Sequence, residues 1–169
     1  VKMNTNIVLI GMPGAGKSTI GVLLAKETAK GFVDTDVIIQ EREGRTLQEI
    51  MDSEGYLALR GVEERVILSL EFHNHVISTG GSAAYSAPAM MHLKTNGVVV
   101  FLYVAPDVLR KRLTNFDQRG IARRPGQTWD ELYDERLALY QCYADITVDC
   151  GTLGHDAVCH AICKELAQR

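Results

Sequence analysis

The chain has no long apolar run, no excess of one charge sign and no paired cysteine motif, and each absence removes a class of protein. Its longest strongly apolar segment, Val98 to Ala105, falls far short of a membrane-spanning helix. The first residues lack the charged-then-apolar order of an export signal, so a cytosolic location without a membrane partner is expected. With a formal charge of −3 the chain exerts no general pull on nucleic acid or anionic lipid, and no nucleic-acid partner is expected. Four cysteines, Cys142, Cys150, Cys159 and Cys163, crowd the C-terminal part with no C-x-x-C spacing, which suits reduced thiols in packed elements. His155, Cys159 and Cys163 recur every four residues, the period of a half-buried helix as much as of a metal site, and the helix is the preferred reading. There is no internal repeat and no N-K-x-D segment for reading guanine. No apolar stripe separates from the core by pattern, and a monomer is the expectation.

What is present reads as one ordinary globular domain over residues 1–169: 46% hydrophobic and 23% charged residues over a length that can bury a core without staples. Strand-like and helix-like stretches alternate, which argues for a parallel sheet covered on both faces. The strands are placed at Asn6 to Ile10, Phe32 to Asp34, His75 to Ser78, Gly97 to Val104 and Asp145 to Asp149. Helices are expected at Lys17 to Thr28, Val37 to Arg42, Leu47 to Met51, Tyr56 to Glu71, Ala87 to Lys94, Pro106 to Leu113, Trp129 to Tyr143 and His155 to Leu166. Thr46 with Glu49, and Thr128 with Glu131, match the capping box that opens a helix.

The most informative segment is Gly11-Met12-Pro13-Gly14-Ala15-Gly16-Lys17-Ser18, which spells G-x-x-x-x-G-K-[ST] between the first strand and the first helix. Glycines let the backbone curl until several N–H groups point inward, and the helix that opens there adds its positive end, so a polyphosphate is held by main chain. Lys17 then reaches the outer phosphates and Ser18 offers its hydroxyl to Mg²⁺.

In open parallel sheets, ligands collect beyond the carboxyl ends of the strands. Asp34 and Asp36 follow the second strand; in extended backbone they share a face, where one serves a metal's water shell and the other a substrate hydroxyl. Thr79-Gly80-Gly81-Ser82 follows the third strand, and its glycines give a ligand access to bare backbone. Arg60 precedes Glu63 and Glu64 by one helical turn, and Arg136 precedes Tyr140 by four residues. Residues 114–127 fit neither period, contain Gly120, Pro125 and Gly126, and carry Arg119, Arg123 and Arg124, the composition of an arginine-bearing mobile lid over phosphates. Arg112 or Arg119 is a candidate for stacking on a base, and the segment after Asp149 for wrapping it.

Taken in order, these pieces resemble the shikimate kinase family. The likeness rests on the Gly11 to Thr19 loop, Phe32-Val33-Asp34-Thr35-Asp36, Gly44-Arg45-Thr46 with Glu49-Ile50, Leu59-Arg60 with Glu63, Ser78 to Gly81, Arg124-Pro125, and Arg136 with Tyr140 and Ala144. It implies a three-layer α/β/α nucleoside-monophosphate-kinase-like fold with a five-stranded parallel sheet, an acceptor-binding region at about 36–64 and a lid at about 114–127. It further implies ATP and Mg²⁺ as cofactors and phosphorylation of a hydroxyl of shikimate. Gly14, Ala15, Gly16, Lys17, Ser18 and Thr19 would hold the ATP phosphates, Ser18 and, through water, Asp34 the metal, and Asp36, Arg60, Gly80, Gly81 and Arg136 the acceptor. Lys17, Asp36 and Arg124 would be catalytic, Arg124 arriving with the lid.

Five positions depart from the family pattern: Ser82 replaces the third glycine of a triplet, Gly126 an apolar lid residue, Tyr56 a glutamate, Leu59 a phenylalanine and Ala138 a proline. A Cβ at Ser82 is expected to crowd a ligand or tilt the turn, and Gly126 to loosen the lid. Two other readings follow: a kinase for another hydroxylated acid, such as a sugar acid, and a catalytically silent ATP-binding module.

Overall fold

In the computed structural model, which describes residues 5–113 and 120–169, five strands form one parallel sheet. In chain order the elements are β1 (Asn6–Ile10), α1 (Lys17–Glu27), β2 (Gly31–Asp34), α2 (Thr35–Glu43), α3 (Leu47–Glu54), α4 (Tyr56–Leu68), β3 (His75–Ser78), a 3₁₀ turn (Ala83–Tyr85), α5 (Ala87–Thr95), β4 (Gly97–Tyr103), α6 (Pro106–Arg112), α7 (Trp129–Tyr143), β5 (Ile146–Asp149) and α8 (His155–Ala167). The sheet order is β2-β3-β1-β4-β5. Pairing runs from Ile7 with Val76 on one side of β1 to Ile7 with Val98 on the other. The interior strand β1 is buried along its whole length, and β4 is buried except at Tyr103, as their unbroken apolar sequences require.

Chain direction across the sheet fixes the layers. From β1 the chain moves outward to β2, whereas from β3 it crosses back over β1 to β4. Right-handed crossovers therefore put α1 on one face and α5 on the opposite one. Helices α1 and α8 pack together, and α4, α5 and the 3₁₀ turn form a second group, giving a three-layer α/β/α arrangement. The loops after β1 and β3 diverge between neighbouring strands, which opens a crevice at their carboxyl ends.

Local signals explain most boundaries. Thr46 accepts from Glu49 N–H while Glu49 reaches back to Thr46 N–H, and Thr128 and Glu131 repeat the arrangement, each cap stabilising its helix by about 1 kcal/mol. Ser86 caps α5. One boundary differs in a way that matters: α2 begins at Thr35, not Val37, because the Asp34 carboxylate accepts from Asp36 N–H and closes the turn two residues early. Helix α4 stops at Leu68, where the Ser69 hydroxyl bonds back to Val66 O at 2.6 Å.

Among the described residues, no helix is long and apolar enough to cross a membrane. His155, Cys159 and Cys163 all lie on α8, with Cys159 buried and His155 exposed, and among the described residues no group of three His, Cys, Asp or Glu side chains is placed to hold a metal ion. Burial pushes the Cys150 thiol up to about 12 and the Cys159 thiol up to about 11, the condition of unreactive packed thiols.

Candidate active site

The loop between β1 and α1 is shaped by its glycines. Gly14 (φ 84°) and Gly16 (φ 94°) adopt left-handed conformations that side chains disfavour, and a Cβ on Gly14 would press against Leu113 at 3.2 Å. Gly16 opens α1 with no side-chain cap, which leaves the first helical N–H groups facing outward. Lys17 is buried and donates to Gly11 O at 2.7 Å and Met12 O at 3.0 Å. Burial lowers its pKa to about 8, against the opposing pull of Asp36. Ala15 departs from expectation: its N–H is spent inside the loop on Met12 O at 3.1 Å and its side chain is buried in the core.

Beside the loop stand the carboxylates. Asp34 caps α2 and accepts from the Ser18 hydroxyl at 2.5 Å, so the two residues suited to a metal already touch. Asp36 lies in the first turn of α2 rather than on an extended strand, and the cap is Asp34, not Asp36. Desolvation, then the neighbouring Asp34, raises the Asp36 pKa to about 6. A Ser18 hydroxyl and one carboxylate form a small oxygen donor set, the kind Mg²⁺ uses when phosphates and water complete its octahedron.

The glycine pair answers a need that its sequence concealed. A Cβ on Gly80 would fall 2.4 Å from Glu63 Oε1 and 2.6 Å from Asp36 Oδ1, and one on Gly81 would fall 2.6 Å from Arg136 Nη1. The glycines thus make room for the protein's own functional side chains. Gly80 N–H is held by the Thr35 hydroxyl at 3.1 Å, and Gly81 O accepts from the Tyr140 hydroxyl at 2.5 Å. Ser82 follows with φ −99°, in a right-handed conformation that a side chain adopts without strain, so the turn is not tilted by its Cβ. Its hydroxyl donates to Glu63 Oε2.

Arg136, on α7, is the most buried arginine among the described residues, 1% exposed, and donates to Ala122 O at 2.8 Å. Its Nε has no hydrogen-bond partner among the described residues. Glu63 is also buried, with Oε1 unpartnered; desolvation, then Asp36, raises its pKa to about 7.

These groups converge on one cavity of about 350 Å³, whose wall includes Gly14, Gly16 to Thr19, Asp36, Gly80, Gly81 and Arg136. The cavity therefore joins the phosphate loop to a carboxylate and a buried guanidinium. Four predicted site residues are not in its wall: Ala15 and Asp34, described above, and Arg60 and Arg124. Arg60 borders a neighbouring cavity of about 250 Å³, because its guanidinium stacks on Tyr85. Arg124 does not reach the phosphate loop: it pairs with Glu135 at 3.0 Å, is half exposed, and borders a cavity beside Tyr56 and Gln48.

Part of the expected lid, residues 114–119 with Arg119, lies outside the described residues. Residues 120–127 are tightly held. Gly120 N–H donates to Gln48 Oε1 at 2.6 Å, and Gly126, with φ 75°, sits third in an Arg124-Pro125-Gly126-Gln127 turn closed by Gln127 N–H to Arg124 O at 3.1 Å. Proline second and glycine third is the type II pattern, so Gly126 completes a turn where loosening was expected. Arg112 extends toward Gly14 O at 3.4 Å and Cys150 O at 3.5 Å, between the phosphate loop and the segment after β5.

Sequence reasoning named Glu63 only as a companion of Arg60, and missed Thr35, Tyr85 and Glu135. Glu63 had one available signal, a carboxylate three residues after Arg60 on a helix; the others have none, since only the fold brings their segments together.

Comparison with known proteins agrees with this geometry. The family model described as shikimate kinase matches residues 13–167. The chain is 35% identical over 169 residues to a shikimate kinase of Nitrosococcus oceani, covering 98% of this chain and 89% of that one. It is 39% identical over 147 residues to one of Thiobacillus denitrificans, covering 85% and 80%. A solved shikimate kinase from Acinetobacter baumannii, in complex with shikimate, superposes with a TM-score of 0.87 at 29% identity, covering 99% of this chain and 95% of that one.

Proposed function

The chain belongs to the shikimate kinase family, and from that premise we propose that it transfers the γ-phosphoryl group of ATP to a hydroxyl of shikimate, giving shikimate 3-phosphate. One observation carries the reading: a single cavity holds a phosphate loop at one side and Asp36, Gly80 and Arg136 at the other. A polyphosphate and an organic acid fit there as neighbours, each with its own countercharge.

The roles follow from chemistry. The acceptor's carboxylate docks on Arg136, joined by Arg60, since guanidinium forks match carboxylates and each charge-assisted hydrogen bond is worth about 1.5–3 kcal/mol. That anchorage turns a ring hydroxyl toward Asp36, which orients it and takes its proton as the oxygen attacks; a carboxylate with a pKa near 6 remains mostly ionised at neutral pH and is a stronger base than an ordinary aspartate. Lys17, with the loop and helix N–H groups, balances charge on the transferring group, whose loose transition state needs positioning and countercharge more than covalent help. Ser18 and Asp34 would hold Mg²⁺, which would supply further positive charge to the phosphates. Arg124, which pairs with Glu135 in this structure, is assigned to the phosphates of the loaded site, where exclusion of water favours the acid over hydrolysis.

The test is ADP release with shikimate beside a panel of hydroxy acids including gluconate and quinate. Turnover with shikimate on the order of 1–100 s⁻¹ is expected. Turnover with another acid alone reassigns the acceptor, and nucleotide binding without any turnover makes the protein a silent ATP-binding module.

A further inference from the structure

Arg60 presents a problem that its position on α4 does not solve. Its Nε and Nη2 are buried without a hydrogen-bond partner among the described residues, although Glu63 and Glu64 lie three and four residues on, where a helical arginine ordinarily finds a carboxylate. Buried donors left over in this way demand a reason.

The reason lies on the facing segment. Ser82 donates its hydroxyl to Glu63, and Ser86 donates to Glu64 Oε2 at 2.5 Å, so both neighbouring carboxylates are already engaged. Between the two serines, Tyr85 lies against the Arg60 guanidinium, with Cζ 3.5 Å from the ring centroid. Tyr56 adds a second ring at 5.0 Å. The Tyr85 ring is itself fixed, since its hydroxyl donates to Glu135 Oε1 at 2.5 Å, and it stands 5.6 Å from the Arg136 guanidinium. A ring holds a guanidinium by its flat face, which consumes none of the N–H groups along the edge. Those donors stay available to a planar anion, and the adjoining cavity is walled by Arg60, Glu63, Ser82 and Tyr85, two of which also line the main cavity.

We propose that the Ser82 to Ser86 segment reserves Arg60 for the acceptor's carboxylate: Tyr85 is a positioning residue that holds the guanidinium by its face, while the two serines keep Glu63 and Glu64 from its edge. This rests on the reading that the acceptor is a hydroxy acid. It also gives Ser82, a departure from the family's glycine triplet, a role that a Cβ-free residue could not fill.

The experiment compares Tyr85→Leu, Tyr85→Phe and Ser82→Ala in steady-state kinetics, with the proton–nitrogen signals of the Arg60 side chain, assigned through Arg60→Lys, as a second readout. Losing the ring contact should raise the shikimate KM about three- to thirtyfold in Tyr85→Leu, with the ATP KM within about twofold, and Tyr85→Phe should recover most of that loss. Ser82→Ala, which frees Glu63 to compete for Arg60, should raise the shikimate KM severalfold. In the wild-type protein the Arg60 signals should lie upfield under the Tyr85 ring and should move when shikimate, but not ADP, is added. A shikimate KM in Tyr85→Leu equal to that of the wild type overturns the proposal. Should no acid of the panel be phosphorylated, the proposed function falls by itself; titrating the same acids against the Arg60 signals still decides this inference, and a signal that none of them moves refutes it.

Discussion

The two ends of the cavity, the one proposed for phosphate and the one proposed for the acid, are built by different means. The phosphate end is one contiguous stretch of eight residues whose glycines set the backbone, and its charged member, Lys17, is tied to carbonyls of the same loop. The acid end is assembled from side chains of α2, α4 and α7 around Gly80 and Gly81, with the carbonyl of Ala122 closing it. A site made of backbone is specified by its own short stretch of sequence, here by glycines whose positive φ angles side chains disfavour. A site made of side chains keeps its function only if each partner is retained, which makes the acid end the place where relatives with one fold diverge in substrate.

The sharpest way to break this contrast is to remove the one side chain on which the phosphate end depends. Lys17→Ala should lower kcat by about 10³-fold or more while the protein stays folded, measured by ADP release and circular dichroism. If the loss were below tenfold, the backbone alone would be sufficient and the lysine's assignment wrong. Asp36→Asn tests the junction of the two ends: kcat should fall by about 10²- to 10³-fold with nucleotide affinity preserved in a fluorescence titration. At the acid end, Arg136→Ala should raise the acceptor KM by about 10- to 100-fold and leave nucleotide affinity nearly intact. Parallel loss of both affinities would mean that the ends are not separable.

The smallest effect concerns stability. Glu63 titrates near 7 when folded, above the ordinary glutamate value, so the folded protein holds its proton more firmly than the unfolded chain does. Stability contributed by the protonated carboxyl is present at low pH and is lost as pH rises through the window from about 4.5 to about 7. Glu63→Gln, which keeps an oxygen for the Ser82 hydroxyl, should therefore raise Tm at pH 8 by a few degrees, roughly the effect of 1 kcal/mol, and by less at pH 5. An equal gain at both pH values would show that charge is not the cause.

What could be read from sequence follows the same division. The alternation of apolar runs and helical periods placed all five strands and eight α-helices, because β1 and β4 are buried without interruption and capping boxes mark α3 and α7. The glycine-lysine loop was legible because its information is local. The start of α2 was misplaced by two residues because a side-chain cap at Asp34 overrode the apolar pattern, and this moved Asp36 from a strand face into a helical turn. The 3₁₀ turn Ala83–Tyr85 was not foreseen, being too short to show a period. Arg60 and Arg124 were identified as functional residues, yet their partners, Tyr85 and Glu135, come from segments that no spacing rule connects to them. Gly80 and Gly81, expected as openings for a ligand, do line the cavity, and what spacing could not show is that a Cβ on either would also meet Glu63, Asp36 or Arg136.

Gly120 carries a consequence for protein engineering. Its N–H is bonded to Gln48, and any Cβ there would lie 2.7 Å from Gln48 N and from Leu47 Cβ. The start of α3 and the segment from Gly120 to Ala122 are thus fitted to each other as a lock and its wards. Chimeras that exchange one of these segments between homologous parents, without its counterpart, should assemble poorly, and libraries aimed at new acceptors will keep more functional members if both are inherited as one block.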